Sequence, residues 1–235
     1  MLVFEHPFRT EGSAHETEDA PMKHAPIDYS LYLVTDRGLA RGRAMLDIVR
    51  AAVQGGVTCV QLREKTCATR EFIEEALAVK EFLRSRGVPL IINDRVDVAL
   101  AVGADGVHLG QKDMPLAAAR AIVTDTMRIG ISAESLADAV AAQQGGADYL
   151  GVSPIFATPT KTDAAAPLGI SGLQAIRRAV TIPLVGIGGL NRQNAAAVVR
   201  CGVDGVAVVS AIVAAEDPEQ AARELVQAIR SARRT

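Results

Sequence analysis

Short apolar runs in this chain repeatedly stop on polar tips, and that habit constrains its fold more than any other feature. Val57, Cys59, Val60 and Leu62 run straight into Arg63, Glu64 and Lys65, which reads as a buried strand ending at a charged rim. Leu90 to Asp94, Gly106 to Asp113, Tyr149 to Lys161 and Leu184 to Gly189 repeat the pattern. In a parallel α/β protein the carboxyl ends of the strands share one face, so these tips converge there.

From Asp28 onward the alternation is regular. Strands are expected over Leu31 to Thr35, Cys59 to Arg63, Leu90 to Asn93, Gly106 to Leu109, Arg128 to Ser132, Tyr149 to Val152, Pro183 to Gly186 and Gly205 to Val208. Helical periodicity falls between them, over Ala44 to Val53, Glu71 to Arg86, Val96 to Ala101, Pro115 to Val123, Ser135 to Gln143, Ile170 to Arg178, Arg192 to Arg200 and Pro218 to Arg233. Eight of each is the count a closed (β/α)8 TIM barrel requires, and 235 residues suit one such domain. An open doubly wound sheet is the competing arrangement. Gly-rich phrases precede several strands: Gly55-Gly56-Val57, Gly103-Ala104-Asp105, Gly145-Gly146-Ala147-Asp148 and Gly202-Val203-Asp204. Each is expected to end a helix on a left-handed Gly, on the face away from the strand tips. Residues 1–27 mix His, Glu, Thr and Pro without a period and read as a flexible extension, leaving 28–235 as the barrel domain.

Composition narrows the function classes. The chain is 49% hydrophobic but only 3% aromatic, with no Trp, so the core must be built from Ala, Val, Leu and Ile. A net charge of −2 leaves no electrostatic footprint for nucleic acid. Cys59, Cys67 and Cys201 are an odd number without ligand spacing and read as reduced thiols. No apolar stretch is long enough for a bilayer and no signal-peptide pattern opens the chain, so a cytoplasmic protein without membrane contact is expected. Oligomeric state is left open, a homo-oligomer included.

The polar tips carry the chemistry. Asp94 follows the third strand and Asp113 the fourth, so barrel order makes them neighbours at roughly 5 Å strand spacing. Two acids at one rim favour a cation between them, and a hard oxygen site completed by water and phosphate suits Mg²⁺. Alternatively each caps the helix that follows it. Arg63, Lys65 and Lys161, with donors Gln61, Asn93 and Ser132, sit at other strand ends, and so many cations beside a neutralised metal imply a polyanion such as diphosphate. The bland reading makes Arg63, Glu64 and Lys65 surface ion pairs. Gly186 to Gly189 after strand seven and Val209-Ser210 after strand eight sit where such barrels often hold a second phosphate, unless the glycines only form a tight turn. The connection from Ser153 to Gly169 is long enough to be a binding element, with Thr158 and Thr160 beside Lys161 and Pro154 and Phe156 as anchors. His108 is expected to be a satisfied interior histidine rather than a ligand-binding one.

These motifs together resemble the thiamine-phosphate synthase family. The resemblance lies in Gln-Leu-Arg-Glu-Lys at 61–65, Asn-Asp at 93–94, Gly-Val-His-Leu-Gly-Gln-Lys-Asp at 106–113, Thr-Pro-Thr-Lys at 158–161, Gly-Ile-Gly-Gly at 186–189 and Val-Val-Ser at 208–210. It covers the chain in order from about Tyr32 to Ile212. It implies a TIM-barrel transferase with two phosphorylated heterocyclic substrates, joining a hydroxymethylpyrimidine diphosphate to a thiazole phosphate and releasing pyrophosphate. It also implies that Gln61, Leu62, Arg63, Glu64, Lys65, Asn93, Ser132 and Lys161 hold the pyrimidine diphosphate. Thr158, Pro159, Thr160, Gly189, Val209 and Ser210 would hold the thiazole phosphate, and Asp94 and Asp113 the Mg²⁺. Arg63, Lys65, Ser132 and Lys161 would be the catalytic residues. A thiazole tautomerase, a sugar-phosphate epimerase and a silent thiamine-phosphate sensor are the alternatives. The first would not need a metal pair with a full diphosphate cradle, the second predicts acid and base residues facing each other across the mouth, which cannot be assigned here, and the third would bind without turnover.

Overall fold

The computed structural model describes residues 26–158 and 165–234. Eight parallel strands close on themselves in sequence order: β1 (Leu31–Val34), β2 (Cys59–Leu62), β3 (Leu90–Asn93), β4 (Gly106–Leu109), β5 (Arg128–Ala133), β6 (Tyr149–Val152), β7 (Leu184–Gly186) and β8 (Gly205–Val208). Closure is made by β1 against β8, with Tyr32 opposite Ala207, which excludes the open doubly wound sheet. Among the described residues nine α-helices surround the barrel: α1 (Met45–Gln54), α2 (Thr69–Arg84), α3 (Val96–Val102), α4 (Leu116–Ile122), α5 (Leu136–Gln144), α6 (Gly169–Ala179), α7 (Ala195–Val199), α8 (Ser210–Val213) and α9 (Pro218–Arg233). A single 3-10 turn, Arg37–Leu39, follows β1.

Strand limits agree with the sequence reading to within a residue, but two helices are shorter than their periodicity predicts, α4 by a residue at each end and α7 by more. α7 begins at Ala195 rather than Arg192 because two Asn side chains capture the preceding backbone. Asn191 Oδ1 accepts from Gln193 N–H at 2.9 Å and Asn194 Oδ1 from Asn191 N–H at 2.9 Å. Such local bonds offer the chain an alternative to helix. α8 was not expected at all: four residues are too few to establish a period.

Period-two alternation sorts every strand into two layers. Leu31, Leu33, Val60, Leu62, Leu90, Ile92, Val107 and Leu109 point outward into the layer shared with the helices. Each such side chain contributes about 1.5–3 kcal/mol on burial, so this layer is the main source of stability. Tyr32, Cys59, Ile91, Tyr149, Val185 and Ala207 point inward and, with Tyr29, fill the bottom of the barrel. The chain has three tyrosines, and all three stack there, Tyr29 on Tyr149 with ring centres 4.7 Å apart. Room for the Tyr149 ring comes from Gly130 on β5, where any Cβ would lie 2.1 Å from a ring carbon.

The turns at the amino ends of the strands repeat one device. Thr58 Oγ1 accepts the N–H of Leu31 at 3.1 Å, and the Oδ2 atoms of Asp105, Asp148 and Asp204 accept those of Leu90, Ile129 and Leu184 at 2.8, 2.7 and 2.8 Å. Each turn before an even strand thus holds the start of the odd strand preceding it, giving a buried amide the partner it requires. The left-handed glycines expected here are present, as at Gly103, which closes α3 with φ of 60°.

Candidate active site

Inward residues near the carboxyl ends of the strands surround a cavity of about 290 Å³ at the mouth of the barrel. Alternation decides which members of the Gln61–Lys65 motif take part. Gln61, Arg63 and Lys65 line the cavity, whereas Leu62 and Glu64 do not. Leu62 is fully buried in the outer layer, and Glu64 is turned away against Arg37, Oε2 to Nε at 2.9 Å, with Arg37 also holding Glu75 at 2.8 Å. Leu62 and Glu64 therefore support the rim from behind.

Asp94 and Asp113 meet as the strand order requires. The carboxyl of Asp113 is pushed above the usual carboxylate range, first by burial and then by its hydrogen bond with Asp94. Neither residue caps a helix: the N-caps of α3 and α4 are Arg95 and Pro115, and neither makes a side-chain cap bond. Asp113 Oδ2 instead accepts the Gly110 N–H at 2.7 Å. Asp94 sits in the left-handed region with φ of 61°, a conformation Asp tolerates better than most residues but at some cost. Its N–H donates to His108 O at 2.8 Å, and its side chain is ion-paired with Lys65.

Arg63 donates from Nη1 to Asp36 Oδ2 at 2.8 Å, and its backbone N–H is held by Thr35 Oγ1 at 2.9 Å. Arg63 and Glu64 thus pair with Asp36 and Arg37 of the turn after β1, and Lys65 with Asp94 after β3, not with one another. Deeper in, Asn93 is 7% exposed and its Nδ2 has no hydrogen-bond partner, an unmet donor in the cavity wall. Ser132 lines the same wall from β5.

His108 is the satisfied interior histidine the sequence led one to expect, and it also faces the cavity. Nδ1 lies 3.0 Å from the Tyr149 hydroxyl and Nε2 3.0 Å from the Ser132 hydroxyl. Burial lowers its pKa to about 4, so the ring is neutral near pH 7.

Across the mouth, Gly188, Gly189, Val209, Ser210 and Thr158 complete the wall. The glycine turn has φ of 100° and 68°, and Asn194 Nδ2 fixes it by donating to Gly189 O at 2.9 Å. Of the anchors expected in the long connection, Pro154 is buried and accepts the Leu168 N–H at 2.9 Å, and Phe156 packs against the core while its N–H donates to Gly188 O at 3.0 Å. Pro159, Thr160 and Lys161 lie outside the described residues, as does most of the 1–27 extension.

Sequence reasoning missed Tyr32 and Tyr149 at the cavity floor and Glu134 at its rim. The two tyrosines had a usable signal, since alternation from Gln61 and Ser132 assigns their paired positions to the inside.

The donor set fits a divalent ion of the magnesium kind. Two carboxylates in contact, one of them resisting ionisation, gain from a shared cation, and among the described residues no cluster of three or more His, Cys, Asp or Glu forms a cage. Two protein carboxylates with the rest of the shell from water and phosphate is the arrangement Mg²⁺ accepts.

A closed barrel with touching carboxylates, two basic side chains and a glycine turn around one mouth has the chemistry of a site for small anionic molecules. Comparison with known proteins narrows the class. The thiamine monophosphate synthase family matches residues 31–212. The thiamine-phosphate synthase of Chloroflexus aurantiacus is 59% identical over 199 residues, 85% of this chain and 92% of the relative. That of Albidiferax ferrireducens is 58% identical over 199 residues, 85% and 91%. The solved thiamine phosphate pyrophosphorylase from Pyrococcus furiosus superposes with a TM-score of 0.82 at 42% identity, covering 88% of this chain and 98% of its own. The chain belongs to the thiamine monophosphate synthase family, and with it to the transferases.

Proposed function

We propose that the protein condenses 4-amino-2-methyl-5-(diphosphooxymethyl)pyrimidine with a thiazole phosphate to give thiamine monophosphate and pyrophosphate. The observation that carries this reading is the Asp94–Asp113 contact beside Lys65 and Arg63 at one rim of the cavity, with the Gly188–Gly189 turn and Ser210 at the other. One side suits a metal-bound diphosphate and the other a single phosphate. Family membership supports the same chemistry.

In this mechanism the C–O bond between the pyrimidine methylene and the diphosphate breaks, its electron pair leaving with oxygen. The thiazole nitrogen then supplies its lone pair to the methylene carbon. That nitrogen carries no proton, so no general base is needed, and the neutral, doubly bonded His108 is not set up as one. This also disfavours an epimerase, which needs opposed acid and base groups. Arg63 and Lys65, joined by Lys161, neutralise charge as the diphosphate departs. Mg²⁺ held by Asp94 and Asp113 would supply Lewis-acid stabilisation of that leaving group. Gln61, Asn93 and Ser132 orient the pyrimidine, the unmet Asn93 amide being the donor with most to gain. Thr158, Pro159, Thr160, Gly189, Val209 and Ser210 hold the thiazole phosphate close enough to outrun water. Among the described residues no helix is long and apolar enough to cross a membrane, and we assign this activity to the cytoplasm.

The test is to incubate the protein with both phosphorylated heterocycles, with and without Mg²⁺, and to follow pyrophosphate and thiamine monophosphate. Equal, metal-dependent formation of both supports the reading. Pyrophosphate release that persists without the thiazole phosphate makes the protein a hydrolase, and no release makes it a sensor.

A further inference from the structure

Five side chains from five strands form one unbroken hydrogen-bonded chain through the barrel. The Gln61 amide nitrogen lies 2.9 Å from the Tyr32 hydroxyl, which lies 2.9 Å from the Tyr149 hydroxyl. The Tyr149 hydroxyl is 3.0 Å from His108 Nδ1, and His108 Nε2 is 3.0 Å from the Ser132 hydroxyl. Tyr32 and Tyr149 are 2% and 0% exposed, so bulk water does not substitute for the middle links. Gln61 and Ser132, the two ends, reach the cavity from β2 and β5.

Each middle member has a single proton to give. A tyrosine hydroxyl donates once, and a neutral imidazole donates from one nitrogen and accepts at the other. The whole chain therefore has two arrangements. In the first, which the facing amide nitrogen of Gln61 selects, protons point from Gln61 through Tyr32 and Tyr149 to His108 Nδ1, and His108 Nε2–H donates to Ser132. The Ser132 proton is then free for a ligand, while Gln61 keeps its amide oxygen and its second N–H. In the second, every link reverses: Ser132 spends its proton on His108 Nε2 and can only accept from a ligand, and the Gln61 amide turns its oxygen to Tyr32. A mixture either leaves two lone pairs facing each other or makes one tyrosine oxygen accept twice and sends its proton out of the line, where Cys59 beside Tyr32 is a weak acceptor, and both are costlier than an unbroken line.

We propose that this chain is a polarity relay: Tyr32, Tyr149 and His108 are positioning residues through which the Gln61 amide decides whether Ser132 has a proton to give a bound ring. A bare ring nitrogen facing Ser132 is met when Gln61 donates into the chain and is left unmet when the chain reverses. The assignment of that ring to the aminopyrimidine rests on the proposed function, but the coupling between the ends does not.

The coupling is read by ¹⁵N NMR of the full chain labelled at histidine, since the imidazole shifts separate the Nε2–H from the Nδ1–H tautomer. His108 in the unsubstituted protein is expected as Nε2–H. Gln61→Glu, measured at pH 8 where the carboxylate only accepts, should convert it to Nδ1–H although Gln61 and His108 are separated by two tyrosines. In a Tyr32→Phe background the same substitution should leave the tautomer unchanged. An unchanged tautomer in Gln61→Glu, or an equal change with Tyr32→Phe present, overturns the relay. Kinetics provide a second reading that does not depend on Gln61→Glu folding. Tyr32→Phe should raise KM for the pyrimidine diphosphate about tenfold, the equivalent of one hydrogen bond, and leave KM for the thiazole phosphate within about twofold. A parallel rise in both constants, or in neither, counts against it. The NMR result is independent of turnover, so failure of the relay and failure of the proposed reaction are distinguishable.

Discussion

The two ends of the barrel use aspartate in opposite ways. At the amino ends of the strands Asp105, Asp148 and Asp204 perform one task three times, each receiving an amide from the first two residues of an odd strand. Two of them are engaged further: Asp148 holds Arg120 at 2.5 Å and Arg128 at 3.5 Å as well as the Ile129 amide, and Asp204 holds Arg177 at 3.3 Å. At the carboxyl ends nothing repeats. Asp94 and Asp113 meet carboxyl to carboxyl, Asp94 holds a left-handed backbone, and the Asn93 amide beside it is unmet. Carboxylates engaged with strand amides mark the end that holds the barrel together, and an unmet amide beside a strained backbone marks the end suited to a ligand.

The sharpest way to break this contrast is to remove a carboxylate from each end. Asp94→Asn keeps the left-handed backbone accessible while deleting the charge. Turnover is expected to fall roughly 10²–10³-fold, or about 3–4 kcal/mol in the barrier, with the thermal midpoint nearly unchanged. Steady-state pyrophosphate release and a melting curve on the same sample decide it. Wild-type turnover would remove Asp94 from the mechanism.

Between the two ends lies His108, which tests whether the interior serves stability or ligand. Burial holds its pKa at about 4 against an ordinary 6.5, so the folded chain refuses a proton that the unfolded chain accepts. Its stabilising contribution is complete above about pH 6.5 and is lost as pH falls toward 4, by about 3 kcal/mol. Urea unfolding at pH 7 and pH 4 should show this loss, and His108→Gln should abolish that part of it. An equal acid loss in the variant would assign the effect to other groups.

Asp148→Ala is the counterpart at the amino end. Stripping the Ile129 amide and two guanidinium groups of their shared acceptor should cost about 2–3 kcal/mol, a drop of roughly 5–10 °C in the thermal midpoint. kcat/KM at 25 °C should stay within about twofold. A variant that melts normally but turns over poorly would erase the division between the ends.

How much of this division can be read from the chain follows from what kind of signal each part leaves. The rim was legible because Arg63, Lys65, Asp94 and Asp113 interrupt apolar runs at the strand tips. The amino-end turns were legible as repeated Gly-x-Asp phrases, although not their bonds to the preceding strand. The family resemblance counts Leu62 and Glu64 among the ligand-holding residues of a contiguous motif, whereas strand alternation turns their side chains outward. Tyr32 and Tyr149 looked like ordinary strand residues, because a single polar atom on an apolar ring does not disturb a hydrophobic pattern. α7 lost its first turn to Asn side-chain bonds that periodicity does not register.

The finest test concerns the one amino-end clamp that is not a carboxylate. Thr58 Oγ1 accepts the Leu31 N–H at 3.1 Å and donates to the Leu31 carbonyl at 3.2 Å, with no guanidinium in support. It stands on the seam, since β1 closes the barrel against β8, and α9 reinforces that seam through Arg233, which reaches Ser30 Oγ at 2.7 Å and Asp204 O at 2.6 Å. Thr58→Val keeps the shape and removes the hydroxyl, so about 1 kcal/mol should be lost, a shift of roughly 2–4 °C. Hydrogen exchange at Leu31 should accelerate while exchange at Asp94 stays as it was, because the seam opens locally and the ligand end does not share that bond. Equal acceleration at both residues would mean that the ends are mechanically one unit, and that the difference between their aspartates is chemical only.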